Sequence, residues 1–166
     1  SIASPGLLSH VLVSKFADHI PFYRQEGILN RMGIALSRGS FCQWTQQCAE
    51  LLKPIVDSMR KIMIQHDIGY SDETRLQVLK EPGKKAESQS YMWLFIGGAE
   101  RERCFVYQYH DSRAHTLVKR YWEGFKGHLH TDGYAAYQTL FNDDHIPIQG
   151  LHCWAHLRRR FVDAAK

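Results

Sequence analysis

Apolar residues in the first 66 positions recur at helical spacing. Leu8, Val11, Leu12 and Phe16 form one stripe, behind Ser4 as an N-cap and Pro5 at the first helical position. Pro21 breaks or redirects that helix. A second helical stretch runs from about Phe22 to Met32 and stops at Gly33. A third begins near Ser37 and carries Phe41, Trp44, Cys48, Leu51 and Leu52. Pro54 starts or kinks a fourth, with Ile55, Met59, Ile62 and Met63 as its apolar stripe.

The pattern changes after His66. Tyr70 to Leu79 reads as extended, and residues 81–90 as a polar loop. Tyr91 to Ile96 is a strongly apolar strand that turns at Gly97-Gly98, and Cys104 to Tyr109 is the returning strand. Residues 113–125 read as a helix burying Leu117, Val118, Tyr121, Trp122 and Phe125. His128 to Thr131 is a short strand, Tyr134 to Phe141 a short helix, Pro147 to Leu151 a strand and Ala155 to Ala165 a final helix. The pattern therefore predicts an all-α region over 1–66 and an α/β region over 67–166. The latter has the order β-β-β-α-β-α-β-α, a mixed sheet with helices packed on it and a right-handed crossover over 103–132.

Composition supports a packed core: 44% of the 166 residues are hydrophobic and 12% aromatic. The longest apolar run is Tyr91 to Ile96, far short of the roughly 20 residues a membrane helix needs. No basic, apolar, small-residue leader opens the chain. The net charge of +4 permits nucleic-acid binding without demanding it. Cys42, Cys48, Cys104 and Cys153 contain no C-x-x-C pair, so free thiols in a reducing cytoplasm are expected.

Two carboxylates stand out by position. Asp72 lies inside the first strand and Asp132 where the fourth strand gives way to a turn. A carboxylate in a central strand is costly to bury unless it is paired or binds a cation. Two on adjacent strands suit Mg²⁺ or Mn²⁺, which prefer oxygen ligands. Strand period sets Glu73 on the opposite face from Asp72. A plainer reading stands beside this one: Asp132 caps the helix starting at Tyr134, and Asp72 pairs with a base such as Arg75. Cys153, His156, His128 and His130 match no strong zinc spacing. Arg158, Arg159 and Arg160, with His156 ahead of them, offer either phosphate contacts or a solvated helix face. Residues 22–52 fit a helix-turn-helix reading DNA with Arg38, Ser40, Gln43 and Gln46, and equally a plain structural bundle.

Several strings resemble bacterial insertion-sequence transposases of the sixty-sixth family. They are Leu12 through Glu26, Gly33-Ile-Ala-Leu-Ser-Arg38 with Trp44 after it, Asp72-Glu-Thr74, Asp132-Gly-Tyr-Ala-Ala-Tyr137, and Cys153 through Phe161. The resemblance implies a ribonuclease H-like catalytic region with a DDE-type site. Its first and fourth strands would be neighbours, so that Asp72 and Asp132 converge as catalytic and metal-binding residues for two Mg²⁺ or Mn²⁺ ions. It implies metal-dependent cleavage at transposon ends followed by strand transfer into target DNA, in a bacterial, nucleoid-associated protein that works as a homo-oligomer. The family's third acid, a Glu, follows the Cys-Trp-Ala-His motif, whereas no Glu follows Glu123 here and Asp163 is the only acid on the last helix. A fragment or truncated product with little strand transfer of its own is therefore expected. The alternatives are a non-catalytic DNA-binding module and another nuclease or resolvase on the same fold.

Overall fold

Three helices precede a five-stranded sheet in the computed structural model, which describes residues 3–143 and 145–165. The chain divides into two compact units, Ser1–Ile55 and Val56–Lys166. In the first unit, α1 (Pro5–Phe16) starts at Ser4, whose Oγ accepts the Leu7 N–H at 3.3 Å. Helix α2 (Phe22–Arg31) contributes Gln25, whose buried amide donates to the carbonyls of Val11 and Ile20. Val11, Leu29 and Phe41 form a small core, with Phe22 and Trp44 against Phe41 at ring distances of 5.8 and 6.0 Å.

The third and fourth helices expected from the sequence are one helix, α3 (Arg38–Ile64), which runs through Pro54. A proline inside a helix costs about 3 kcal/mol. The apolar spacing nevertheless continues through it without resetting, over Trp44, Cys48, Leu51, Leu52, Ile55, Met59, Ile62 and Met63. Phe41 near one end and Met63 near the other are fully buried, each in the core of its own unit.

In the second unit the strands are β1 (Ile68–Gln77), β2 (Gln89–Gly97), β3 (Cys104–His110), β4 (Gly127–Thr131) and β5 (Ile148–His152). Their order across the sheet is β3-β2-β1-β4-β5. The first three form antiparallel hairpin pairs, and β4 and β5 join in parallel. Helices α4 (His115–Tyr121), α5 (Ala135–Phe141) and α6 (Trp154–Ala164) complete the expected β-β-β-α-β-α-β-α order. This α/β architecture, helices followed by a five-stranded mixed sheet, agrees with a ribonuclease H-like fold.

Helix α4 ends at Tyr121, short of the expected 125. Arg60 donates to the carbonyls of Arg120, Tyr121 and Glu123, satisfying the acceptors that a longer helix would use internally. Trp122 and Phe125 are still buried, from the turn that follows.

Strand alternation divides the sheet into two faces. The packed face presents Trp93, Phe95, Val106 and Leu129 to Leu117, Val118, Tyr121, Trp122, Tyr137 and Leu140. Phe95 stacks on Tyr121 at 3.6 Å, and Trp122 donates its indole N–H to Ser71 Oγ at 2.7 Å. Gly69 lies so close beneath Trp122 that a Cβ there would sit 2.5 Å from the ring. On the other face Phe105, Tyr107 and Tyr109 are exposed along the edge strand. Among the described residues no helix is long and apolar enough to cross a membrane.

Candidate active site

The site is built where β1 and β4 run side by side. Their parallel register pairs Ile68 with His128, Gly69 with Leu129 and Tyr70 with His130. Tyr70 and His130 are also in ring contact at 5.4 Å. Asp72 lies two residues beyond Tyr70, and Asp132 two residues beyond His130. Period two therefore keeps both carboxylates on the face that carries Tyr70 and His130. Beyond Asp132 the chain leaves the sheet at Gly133, whose φ of +78° suits glycine far better than any other residue.

Asp72 and Asp132 line one open cleft of about 180 Å³, together with Tyr70, Leu94, Ile96, His130, Cys153 and His156. A larger hollow of about 690 Å³ is lined by Asp132, His130, His156 and Arg160 as well. Each carboxylate has one oxygen held by the backbone. Asp72 Oδ1 accepts the Glu73 N–H at 2.9 Å, and Asp132 Oδ1 accepts the Tyr134 N–H at 2.9 Å. Asp132 does not cap the helix as the plainer reading expects: α5 (Ala135–Phe141) starts behind Tyr134 with no side-chain cap, and the Asp132 bond to the Tyr134 N–H closes the turn before it. Asp72 is exposed and forms no ion pair with Arg75 or any other base among the described residues.

Glu73 points to the opposite face, as strand period demands, and its side chain is only 1% exposed. Its Oε1 accepts from Arg113 Nε at 2.6 Å and closely from Arg113 Nη2, while Oε2 accepts the Tyr137 hydroxyl at 2.9 Å. Burial pushes the Glu73 carboxyl above its ordinary range, opposed by Arg113 and Tyr137. Burial, then the nearby Glu73, pushes the Tyr137 phenol up strongly. Arg113 also lies with its guanidinium 3.4 Å over the Tyr134 ring, and its Nη2 is 3.8 Å from Asp132 Oδ2. Sequence reasoning missed Arg113, Tyr134 and Tyr137. The Asp132-Gly-Tyr-Ala-Ala-Tyr137 string held the two tyrosines, but nothing in the local pattern tied Arg113 to a glutamate 40 positions earlier.

The remaining candidates separate. His156 and Arg160 face the cleft from α6, and His156 buries its Nδ1 without a hydrogen-bond partner among the described residues. Arg158 and Arg159 are exposed and line neither hollow. Arg38 and Gln43 belong to the helical unit. Arg38 is paired with Glu26 at 3.0 Å, and Gln43 is exposed.

Among the described residues no three His, Cys, Asp or Glu side chains group so as to hold a metal. The two carboxylates nonetheless fit a hard cation. Mg²⁺ commonly takes one or two carboxylates and completes its shell with water and substrate phosphate. The orphaned His156 nitrogen marks the same cleft as one where a polar partner is wanted.

Residues 1–166 match the model of the Transposase IS66 family. Two uncharacterized proteins of Sinorhizobium fredii (strain NBRC 101917 / NGR234), y4jD and y4qI, are 35% and 34% identical over 99% and 95% of this chain. The chain spans about a third of their length, 34% and 31% respectively. Among solved structures, one chain of a cryoEM structure of the simian T-cell lymphotropic virus intasome in complex with PP2A regulatory subunit B56 gamma aligns with a TM-score of 0.39. It is 10% identical, over 58% of this chain and 37% of that one, a likeness too distant to bear on function. The family match covers the whole sequence, including the strands that carry Asp72 and Asp132, and the chain belongs to the Transposase IS66 family.

Proposed function

We propose that this chain forms part of the catalytic region of a DNA transposase, with Asp72 and Asp132 holding divalent cation against a DNA phosphate. The observation that carries the reading is their placement. Both stand at the same offset from the Tyr70–His130 pair on neighbouring parallel strands, and both line one open cleft. Family membership supports a transposase-related role. Mg²⁺ or Mn²⁺ bound there supplies Lewis acidity, activating an attacking oxygen and stabilising the leaving 3′ oxygen. Asp72 and Asp132 fix the cation on the open face, and their backbone hydrogen bonds hold both carboxylates in place. Arg160, which lines the larger hollow from α6, offers positive charge to an entering phosphate, and His156 lines the same hollow beside it. Cleavage of transposon ends and strand transfer belong, in this reading, to a longer protein that brings a third carboxylate to the cleft. DNA ends, target DNA and a second copy of the protein are its proposed partners.

Mn²⁺ titration followed by electron paramagnetic resonance tests the reading. Asp72→Asn and Asp132→Asn should each weaken Mn²⁺ binding by about tenfold or more, since each removes one of two charged ligands. Unchanged affinity in both variants would sink the metal reading. DNA binding that persists in chelator and falls steeply with salt would then point to a DNA-binding module without metal chemistry.

A further inference from the structure

Arg113 lies between two carboxylates and is shared unequally. Glu73 takes both Nε and Nη2 on its Oε1, while Asp132 Oδ2 stands off at 3.8 Å from the same Nη2. The clamp is built on both sides. The Glu73 side chain is 1% exposed and fixed at its second oxygen by Tyr137, and Tyr134 covers the guanidinium plane at 3.4 Å. A planar cation in such a place forms its strongest bonds with whichever carboxylate meets its fork. We propose that Glu73 is a positioning residue whose work is to hold Arg113 away from Asp132, leaving the Asp132 carboxylate open to the cleft. The inference rests on the reading of Asp132 as a cation ligand.

The reason is one of competition. If Glu73 were neutral, the guanidinium would have one carboxylate left within reach, that of Asp132. The 3.8 Å gap would close to a direct bond, and a cation entering the cleft would have to displace an arginine first. Arg113 is also the only one of the three residues that could not neutralise itself by taking or losing a proton, since arginine stays charged in proteins. Glu73 thus resolves a conflict that the fold creates by bringing the 113 loop beneath Asp132. A purely structural ion pair would have no reason to affect Asp132.

A double-mutant cycle on the full chain separates the two roles. Glu73→Gln should weaken Mn²⁺ binding by about fivefold or more, and Glu73→Gln with Arg113→Gln should return it to within about twofold of wild type, because the competitor is gone. A crystal structure of the Glu73→Gln variant should show Arg113 bonded directly to Asp132. Arg113→Gln alone should bind Mn²⁺ no more weakly than wild type, which keeps the test open if Glu73→Gln does not fold. The inference is overturned if Glu73→Gln leaves affinity unchanged, if the double variant is no better than Glu73→Gln, or if Arg113→Gln in a folded protein weakens binding. Wild type that binds no Mn²⁺ would defeat the metal reading of Asp132 instead. The Glu73→Gln crystal structure would then decide the positioning role: Arg113 still apart from Asp132 would overturn it.

Discussion

Asp72 and Glu73 are adjacent on one strand and live in opposite environments. On the open face Asp72 is exposed, held at one oxygen by a backbone N–H, and borders a cleft. On the packed face Glu73 is enclosed by Arg113 and Tyr137 and its charge is fully engaged. The same division runs across the sheet. Trp93 and Phe95 are completely buried beneath α4 and α5, whereas Phe105, Tyr107 and Tyr109 on the edge strand stand in solvent. One face holds the fold together and the other is left free to meet a ligand. Packing needs neighbours on every side, and a cation site needs an unpaired carboxylate within reach of water.

The largest break in this comparison comes from the packed face. Trp122→Ala removes a ring that is 1% exposed, sits on Gly69 and bonds Ser71. It should cost about 3–5 kcal/mol in urea unfolding. A loss below about 1 kcal/mol would mean that the face is far looser than its contacts suggest.

A smaller effect is expected from alkali. Burial pushes the Tyr121 phenol up to about 12. The unfolded chain loses that proton near pH 10 and the folded chain later, so the folded state holds more protons between these values. The stabilisation is complete below pH 10 and is lost as pH rises toward 12, at up to about 1.4 kcal/mol per pH unit. Tyr121→Phe should flatten that part of the urea-midpoint profile, and an identical slope in the variant would contradict the assignment. The smallest effect is expected on the open face. Tyr107 is 66% exposed, so Tyr107→Ser should change stability by no more than about 0.5 kcal/mol. A loss several times larger would show that this face is covered in solution.

Much of this arrangement was legible in the residues. The Tyr91–Ile96 run and its Gly-Gly turn announce the β2–β3 hairpin, and Asp132-Gly announces the turn that closes β4. A charge inside a strand asks for a reason, and Asp72 is such a charge. The sequence also placed Glu73 on the other face, by period alone. Pro54 is a strong local breaker, yet the apolar stripe continues past it and one helix spans both sides. The end of α4 was misplaced because its last carbonyls are claimed by Arg60, some 60 residues earlier in the chain.

The sequence by itself determined the strands, their order, most of the helices and the two aspartates, since hydrophobic period and turn chemistry act between near neighbours. Only the tertiary structure decided what those aspartates meet. The parallel pairing of β1 with β4 joins residues 60 positions apart, and Asp72 and Asp132 beyond it line one cleft. The return of Arg113 to Glu73 spans 40 positions. Such contacts form because burying one face of the sheet fixes where every strand and loop must lie, and no local pattern encodes that outcome.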